Sequence, residues 1–117
     1  MQQNGNAGRF AEREVRGIAD DGASEVVTIW IERRPGAVWA VGRAVCLSER
    51  PDGALHAEDY VFEGFEMGDA LDAANEALRS DLEVSSMEGR PPQEVTEFSD
   101  QELLQPLERW FFGHAPR

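Results

Sequence analysis

The chain has 117 residues, a formal net charge of −12 at pH 7, one cysteine and no lysine. A chain of this length can bury one modest hydrophobic core, so a single domain is expected. The lone Cys46 excludes an intramolecular disulfide and any zinc site that needs several cysteines of one chain. There is no long apolar run and no basic, apolar leader before Phe10, so we expect a soluble cytoplasmic protein without a membrane partner.

The negative charge is concentrated in the second half of the chain. Residues 1 to 50 contain seven arginines and seven acids, whereas residues 51 to 117 contain four arginines and sixteen acids. A field of this sign favours a basic partner and repels nucleic acid, although it also serves solubility alone.

Four β-strands are predicted after a polar, glycine-rich tail at residues 1 to 8, which we expect to be disordered. Runs rich in valine, isoleucine and aromatic residues alternate with turn-forming residues, and short links of this kind join antiparallel neighbours. The predicted order is therefore a meander. Its strands are Phe10 to Ile18, Glu25 to Arg33, Ala37 to Leu47 and His56 to Glu66, and its turns are Asp20-Asp21-Gly22, Pro35-Gly36 and Pro51-Asp52-Gly53.

Two helices are predicted after the sheet. Apolar residues at spacings of three and four define one face of the first helix, and its small alanines suit close packing on a sheet. The second helix begins at Ser99, because Ser99 and Glu102 form a capping box and Phe98 and Leu103 a hydrophobic staple. Pro106 should kink or end it, since proline lacks the amide donor of a helical turn. The apolar face of the first helix comprises Leu71, Ala74, Leu78 and Leu82.

The predicted fold class is α+β: a four-stranded antiparallel β-meander with a helix packed on one face and a second, C-terminal helix. One domain spans residues 9 to 112, and residues 113 to 117 form a short tail. This order of elements is similar to that of some single-stranded-DNA-binding folds, a likeness of fold without a matching motif.

A candidate binding face follows from the turn between the second and third strands. A two-residue loop at Pro35-Gly36 would place alternate residues of both strands on one face, whereas a loop of odd length would exchange the faces on one strand. Tryptophan and arginine are enriched at binding hot spots, and so much apolar surface needs a cover. The candidate binding residues on this face are Trp30, Trp39, Arg43, Thr28 and Glu32.

Either a segment of the same chain or a binding partner could bury this candidate face. The chain's own segment from Leu103 to Phe112 could fold over it, or a partner could bind there. The opposite face is predicted to receive the first helix, because its residues are apolar and flat. They are Val27, Ile29 and Ile31 beside Ala40, Gly42 and Ala44.

No catalytic, metal or cofactor site is predicted. His56 and His114 have no recognisable partners, and Cys46 on a strand is expected to pack as a small, inert residue. A glycine-rich phosphate loop and metal-ligand spacings are absent from the sequence. We therefore expect no cofactor and no catalysis.

Two functions of different classes are favoured, and a third, an enzyme or small-molecule binder, would require a pocket that the sequence does not reveal. The first is a non-enzymatic acidic interaction module that binds a basic protein partner or associates with itself. The alternative is a single-stranded nucleic-acid-binding domain that uses the aromatic and arginine residues of the candidate face. The net charge weighs against the alternative, because phosphate binding gains much of its affinity from a positive field.

Overall fold

The computed structural model describes residues 9–18, 24–47 and 55–104. Four strands form one antiparallel sheet in the order β1-β2-β3-β4, and a long helix and a short second helix follow, so the predicted α+β meander is confirmed. The predicted tails, the turns Asp20-Asp21-Gly22 and Pro51-Asp52-Gly53, the effect of Pro106 and all of the covering segment Leu103 to Phe112 beyond Leu104 lie outside the described residues. The elements are β1 Arg9–Ile18, β2 Ser24–Arg34, β3 Val38–Leu47, β4 Leu55–Gly64, α1 Met67–Met87 and α2, described over residues 100–104.

Helix α1 covers one face of the sheet and contacts all four strands. Of the predicted apolar face, Ala74 and Leu78 are buried, and Leu71 and Leu82 are partly buried against the core. Ala70 and Ser85 are buried as well. The two alanines bring the helix close to the sheet, where its stripe meets branched residues of the central strands such as Ile29 and Val41. This face therefore holds the core. We call the opposite face the helix-free face.

The turn between β2 and β3 contains three residues, not two. Arg34 pairs with Val38, so Pro35, Gly36 and Ala37 form the loop. Gly36 and Ala37 both take positive φ angles, of 83° and 63°, and a left-handed alanine is what adds the third residue. Because this number is odd, the faces are exchanged on one strand relative to the two-residue prediction.

The prediction that the five candidate binding residues share one face is therefore wrong. Thr28, Trp30 and Glu32 alternate onto the helix-free face, together with Ala40, Gly42 and Ala44 of β3. The other two candidates, Trp39 and Arg43, lie on the face covered by α1. The helix still packs on Ile29 and its neighbours of β2, as predicted, but against the other set of β3 residues.

The start of α2 agrees with the predicted capping box. The Glu102 amide donates to Ser99 Oγ at 3.4 Å, and the Ser99 amide donates to Glu102 Oε1 at 3.0 Å. The two staple residues, Phe98 and Leu103, are buried in the same core as α1. The segment after α1 thus closes the core on the side of β1.

Candidate functional site

Trp30 is enclosed by its own neighbours on the helix-free face. Its indole lies over Gly42, where an added Cβ would come within 2.1 Å of the ring. The Arg9 guanidinium covers the ring at 3.9 Å from its centroid, and Tyr60 packs edge-on at 5.9 Å. Only 1% of Trp30 remains exposed. Trp30 is therefore a structural residue of this face and not a free binding surface.

Glu32 anchors the same cluster through three donors. Trp30 Nε1 donates to Glu32 Oε1 at 2.6 Å, Arg34 Nε donates to Oε2 at 2.8 Å, and the Tyr60 hydroxyl donates to Oε1 at 3.4 Å. Partial burial raises the pKa of Glu32, but these hydrogen bonds outweigh it and the pKa is lowered overall. Arg34 also bonds to Glu63, and its pKa is raised chiefly by its bond to Glu32. Glu32 is thus held as a carboxylate by its neighbours.

Thr28, the remaining candidate on this face, lies half-buried between two cross-strand partners. Glu14 of β1 stands opposite it on one side and Ala44 of β3 on the other. The free thiol of Cys46 lies further along β3 and is half-buried. Neither residue belongs to the aromatic cluster around Trp30.

Trp39 belongs to the core on the α1 side. It is 4% exposed, and Phe10 meets its ring at 5.4 Å and an interplanar angle of 71°. The Arg33 guanidinium lies 4.9 Å from the ring centroid. Because both predicted tryptophans are buried, on opposite faces, the structure does not bring them together.

Arg43 connects the sheet to α1. Its Nε and Nη2 donate to the two carboxylate oxygens of Asp81, at 2.9 and 2.7 Å. This forked pair raises the pKa of Arg43 and fixes the planar guanidinium. The pair forms one wall of a cleft between the sheet and the helix.

The cleft lies between β4 and α1 and has a volume of about 540 Å³; we call it the β4–α1 cleft. Val61 and Val84 face it from the strand and from the helix, and each is 47% exposed. A bulge in β4, between the pairs Val41 with Phe62 and Gly42 with Tyr60, adds Val61 to the strand. The cleft is lined by Arg43, Val61, Ala73, Glu76, Ala77, Ser80, Asp81 and Val84.

The cleft lies in the most acidic part of the chain. Between residues 55 and 88 the sequence has ten acidic residues and one arginine, Arg79. On β4 itself, Glu58, Asp59 and Glu63 are acidic, and no arginine is present. Glu76 is exposed at the cleft, whereas Asp81 is neutralised by Arg43. The charged residues that line the cleft, Arg43, Glu76 and Asp81, thus leave one net negative charge, within an acidic stretch of the sequence.

The two edges of the sheet differ. At the β1 edge, the Arg16 amide donates to Gln93 Oε1 at 2.9 Å, and Gln93 Nε2 donates back to the Arg16 carbonyl at 3.0 Å. Ser85 Oγ also donates to that carbonyl, and Arg90 to the carbonyl of Gly17. Among the described strands, β4 pairs with β3 alone. One edge is thus closed by side chains, and the other borders the β4–α1 cleft.

Sequence reasoning missed the cleft, although one signal for it exists. A second helical stripe runs beside the buried stripe of α1 and consists of small or short side chains spaced by four, three and four residues. Such a stripe lies at the margin of the helix's contact with the sheet. Its members are Ala73, Ala77, Ser80 and Val84.

Within the described ranges, no group of three or more potential metal ligands occurs. None of the helices in that part of the chain is long and apolar enough to cross a membrane. Comparison of the chain with protein-family models, with curated proteins and with solved structures finds no match.

Proposed function

We propose that this chain is a non-enzymatic interaction module that binds a basic protein partner at the β4–α1 cleft. The observation that carries the proposal is the open, partly apolar cleft in the most acidic part of the chain. Val61 and Val84 offer apolar area that a partner can bury, and the surrounding carboxylates favour a cationic one. Its volume of about 540 Å³ is sufficient for side chains of a partner segment.

Single-stranded nucleic acid fits the geometry less well. A stacking platform needs accessible rings, and both predicted tryptophans are buried, Trp30 beneath Arg9 and Trp39 beside Phe10. The rings that are exposed, Tyr60 and Phe65, lie on or next to the acidic strand β4. Arg43 is engaged by Asp81. A phosphate backbone would also meet a chain of net charge −12. These observations favour the protein partner.

A matched pair of variants tests the site. Val84 at the cleft and Leu104 on α2 are similarly exposed, at 47% and 41%, and lysine at either position changes the net charge equally. The probe is a labelled peptide of about ten residues that contains only arginine and valine, titrated with the full chain by fluorescence anisotropy. A glutamate-valine peptide and a single-stranded oligonucleotide serve as comparison ligands.

We expect the arginine peptide to bind, more weakly at high salt, and the two anionic ligands not to bind. Val84→Lys should weaken binding by at least about tenfold, or ~1.4 kcal/mol, because it places a cation against the peptide and fills the cleft. Leu104→Lys should change it by less than about twofold. Equal effects of the two variants, or stronger binding of the oligonucleotide, would contradict the proposal.

A further inference from the structure

We infer that the partner segment binds as a fifth strand on β4 and that basic and aliphatic side chains alternate along it. This inference rests on the proposed function and names its mode of recognition. Strand addition uses the unpaired backbone groups of a sheet edge for affinity and the alternation of side chains for specificity. Both elements are present at β4.

The first element is the edge itself. Among the described strands, β4 has a neighbour on one side only, and its other side borders the β4–α1 cleft. At the opposite edge of the sheet, both backbone groups of Arg16 are taken by Gln93. Edge strands that stay unpaired need protection against copies of themselves, and charged side chains are a common means. The acidic residues of β4 provide it.

The charge of β4 distinguishes two strands that could pair with it: β4 of a second copy of this chain, and a basic segment of another protein. A second copy would bring two identical strands together, each with three acids (Glu58, Asp59 and Glu63, the last paired with Arg34) and no arginine, and like charges across paired strands are destabilising. A basic strand offers favourable cross-strand pairs to Glu58 and Glu63 on the helix-free face, while Asp59 stands beside Arg43 on the α1 side. The edge is therefore suited to a basic segment of another protein and not to self-association.

The alternation follows from the two sides of β4. On the helix-free face, β4 presents Tyr60, the exposed carboxylate of Glu58 and that of Glu63, which Arg34 engages. On the other side, Val61 lies at the cleft opposite Val84. Because an added strand has the same pleat as β4, its alternate residues meet these two environments in turn. Arginine or lysine belongs on the helix-free face, and valine, isoleucine or leucine belongs in the cleft.

The bulge in β4 supports this assignment. It returns Phe62 to the core side immediately after Val61, so that two consecutive side chains lie on the α1 side. Phe62 packs on the core, and Val61 is left half-exposed at the cleft. Bulges commonly re-aim a side chain at a sheet edge. Here the bulge supplies an apolar contact for the added strand at a position where the core is already complete.

The test measures the binding of the full chain to four peptides that contain the same numbers of valine and arginine residues. The first peptide alternates valine and arginine; the second has all its valines before its arginines. Two further versions of the alternating peptide carry N-methyl groups, either on every valine or on every arginine. In a strand, successive amides point to opposite edges, so only one of these two sets faces β4. Binding is measured by anisotropy, and amide hydrogen exchange locates the protected residues.

We expect the alternating peptide to bind at least about tenfold more tightly than the block peptide. One N-methylated version should lose binding and the other should retain it, and β4 amides should gain protection. Equal binding of all four peptides would overturn the added strand and leave the basic-partner function standing. Failure of every peptide to bind would remove both. Protection of the outer β4 amides in the free chain, unchanged by peptide, would show another occupant and overturn the inference.

Discussion

The two edge strands of this sheet are finished in different ways. Strand β1 carries three arginines and two glutamates, and the segment after α1 runs alongside it and bonds to its backbone. Strand β4 carries three acids and no arginine, and it borders a cleft. A sheet edge can be protected against pairing with other chains in two ways: other groups occupy its backbone hydrogen bonds, or its strand carries charged side chains. The first means is used at Arg16 and Gly17 of β1, and the three acids of β4 supply the second.

Arg13 links β1 to the segment after α1, residues 88–104, which we call the closing segment. Its guanidinium donates to the carbonyls of Thr96 and Glu97 and to Glu102 Oε1, and it stacks on Phe98 at 4.6 Å from the ring centroid. From α1, the Asn75 side-chain amide pairs with both backbone groups of Phe98, at 2.7 and 3.0 Å. Closure of the β1 edge is therefore part of the core and should be costly to undo.

The largest expected effect is that of Phe98→Ala. Phe98 is the residue of the segment after α1 that is buried in the core beside Leu103, so its truncation should destabilise the fold by about 3–5 kcal/mol. The matched control is Phe65→Ala, just after β4, where the ring is 72% exposed and the change should stay within about 0.5 kcal/mol. Urea unfolding measures both as shifts in midpoint. Comparable losses in the two variants would show that the β4 side is closed as well.

A smaller loss is expected for Gln93→Ala. It removes two hydrogen bonds to Arg16 and one to Ser85, but water can reach this surface, so we expect about 1–2 kcal/mol. Exchange of the Arg16 amide should accelerate. Gln101→Ala, an exposed glutamine on α2, is the control. If the Arg16 amide exchanges at an unchanged rate in Gln93→Ala, the side chain does not close the β1 edge.

Much of the fold could be predicted from the sequence, because it depends on local signals. Strand runs, the buried stripe of α1 and the capping box at Ser99 each need only a few neighbouring residues, and all three are confirmed. The loop between β2 and β3 has an odd number of residues because Ala37 belongs to it. The Pro-Gly pattern does not indicate the left-handed conformation of Ala37. That one residue separates Trp30 from Trp39 and places the indole over Gly42.

The cleft could not be predicted for a different reason. It depends on where α1 crosses the sheet, and the helix reaches β4 but leaves room between Val61 and Val84. The alanines of α1 suit close packing anywhere along its length, so the sequence does not say which of them lie at the core and which at a margin. Sites formed between elements that are distant along the chain need the tertiary arrangement itself.

The smallest expected effect is a pH dependence at the closed edge. Partial burial raises the pKa of Glu102, but the hydrogen bonds from Arg13 and Ser99 outweigh it and lower the pKa overall. A carboxylate with a lowered pKa in the folded state contributes stability above its unfolded pKa, and this is lost as the pH falls through the folded value. Glu102→Gln should therefore be less stable than the parent at neutral pH and equal to it in acid.

Urea midpoints across the acid range measure this difference. The matched control is Glu94→Gln, which removes one negative charge from an exposed position of the same segment. A difference between Glu102→Gln and the parent that persists unchanged into acid would show that the carboxylate's charge does not contribute at the β1 edge.

Amide hydrogen exchange on the full chain, free and with the alternating valine-arginine peptide, compares the two edges most directly. In the free chain the Arg16 amide should exchange slowly, because Gln93 accepts its hydrogen bond, while the outward-facing amides of β4 exchange rapidly. Added peptide should slow exchange in β4 and leave Arg16 unchanged. Slow exchange at both edges of the free chain, or protection by peptide at β1 instead of β4, would contradict an open, acidic β4 edge that receives a partner.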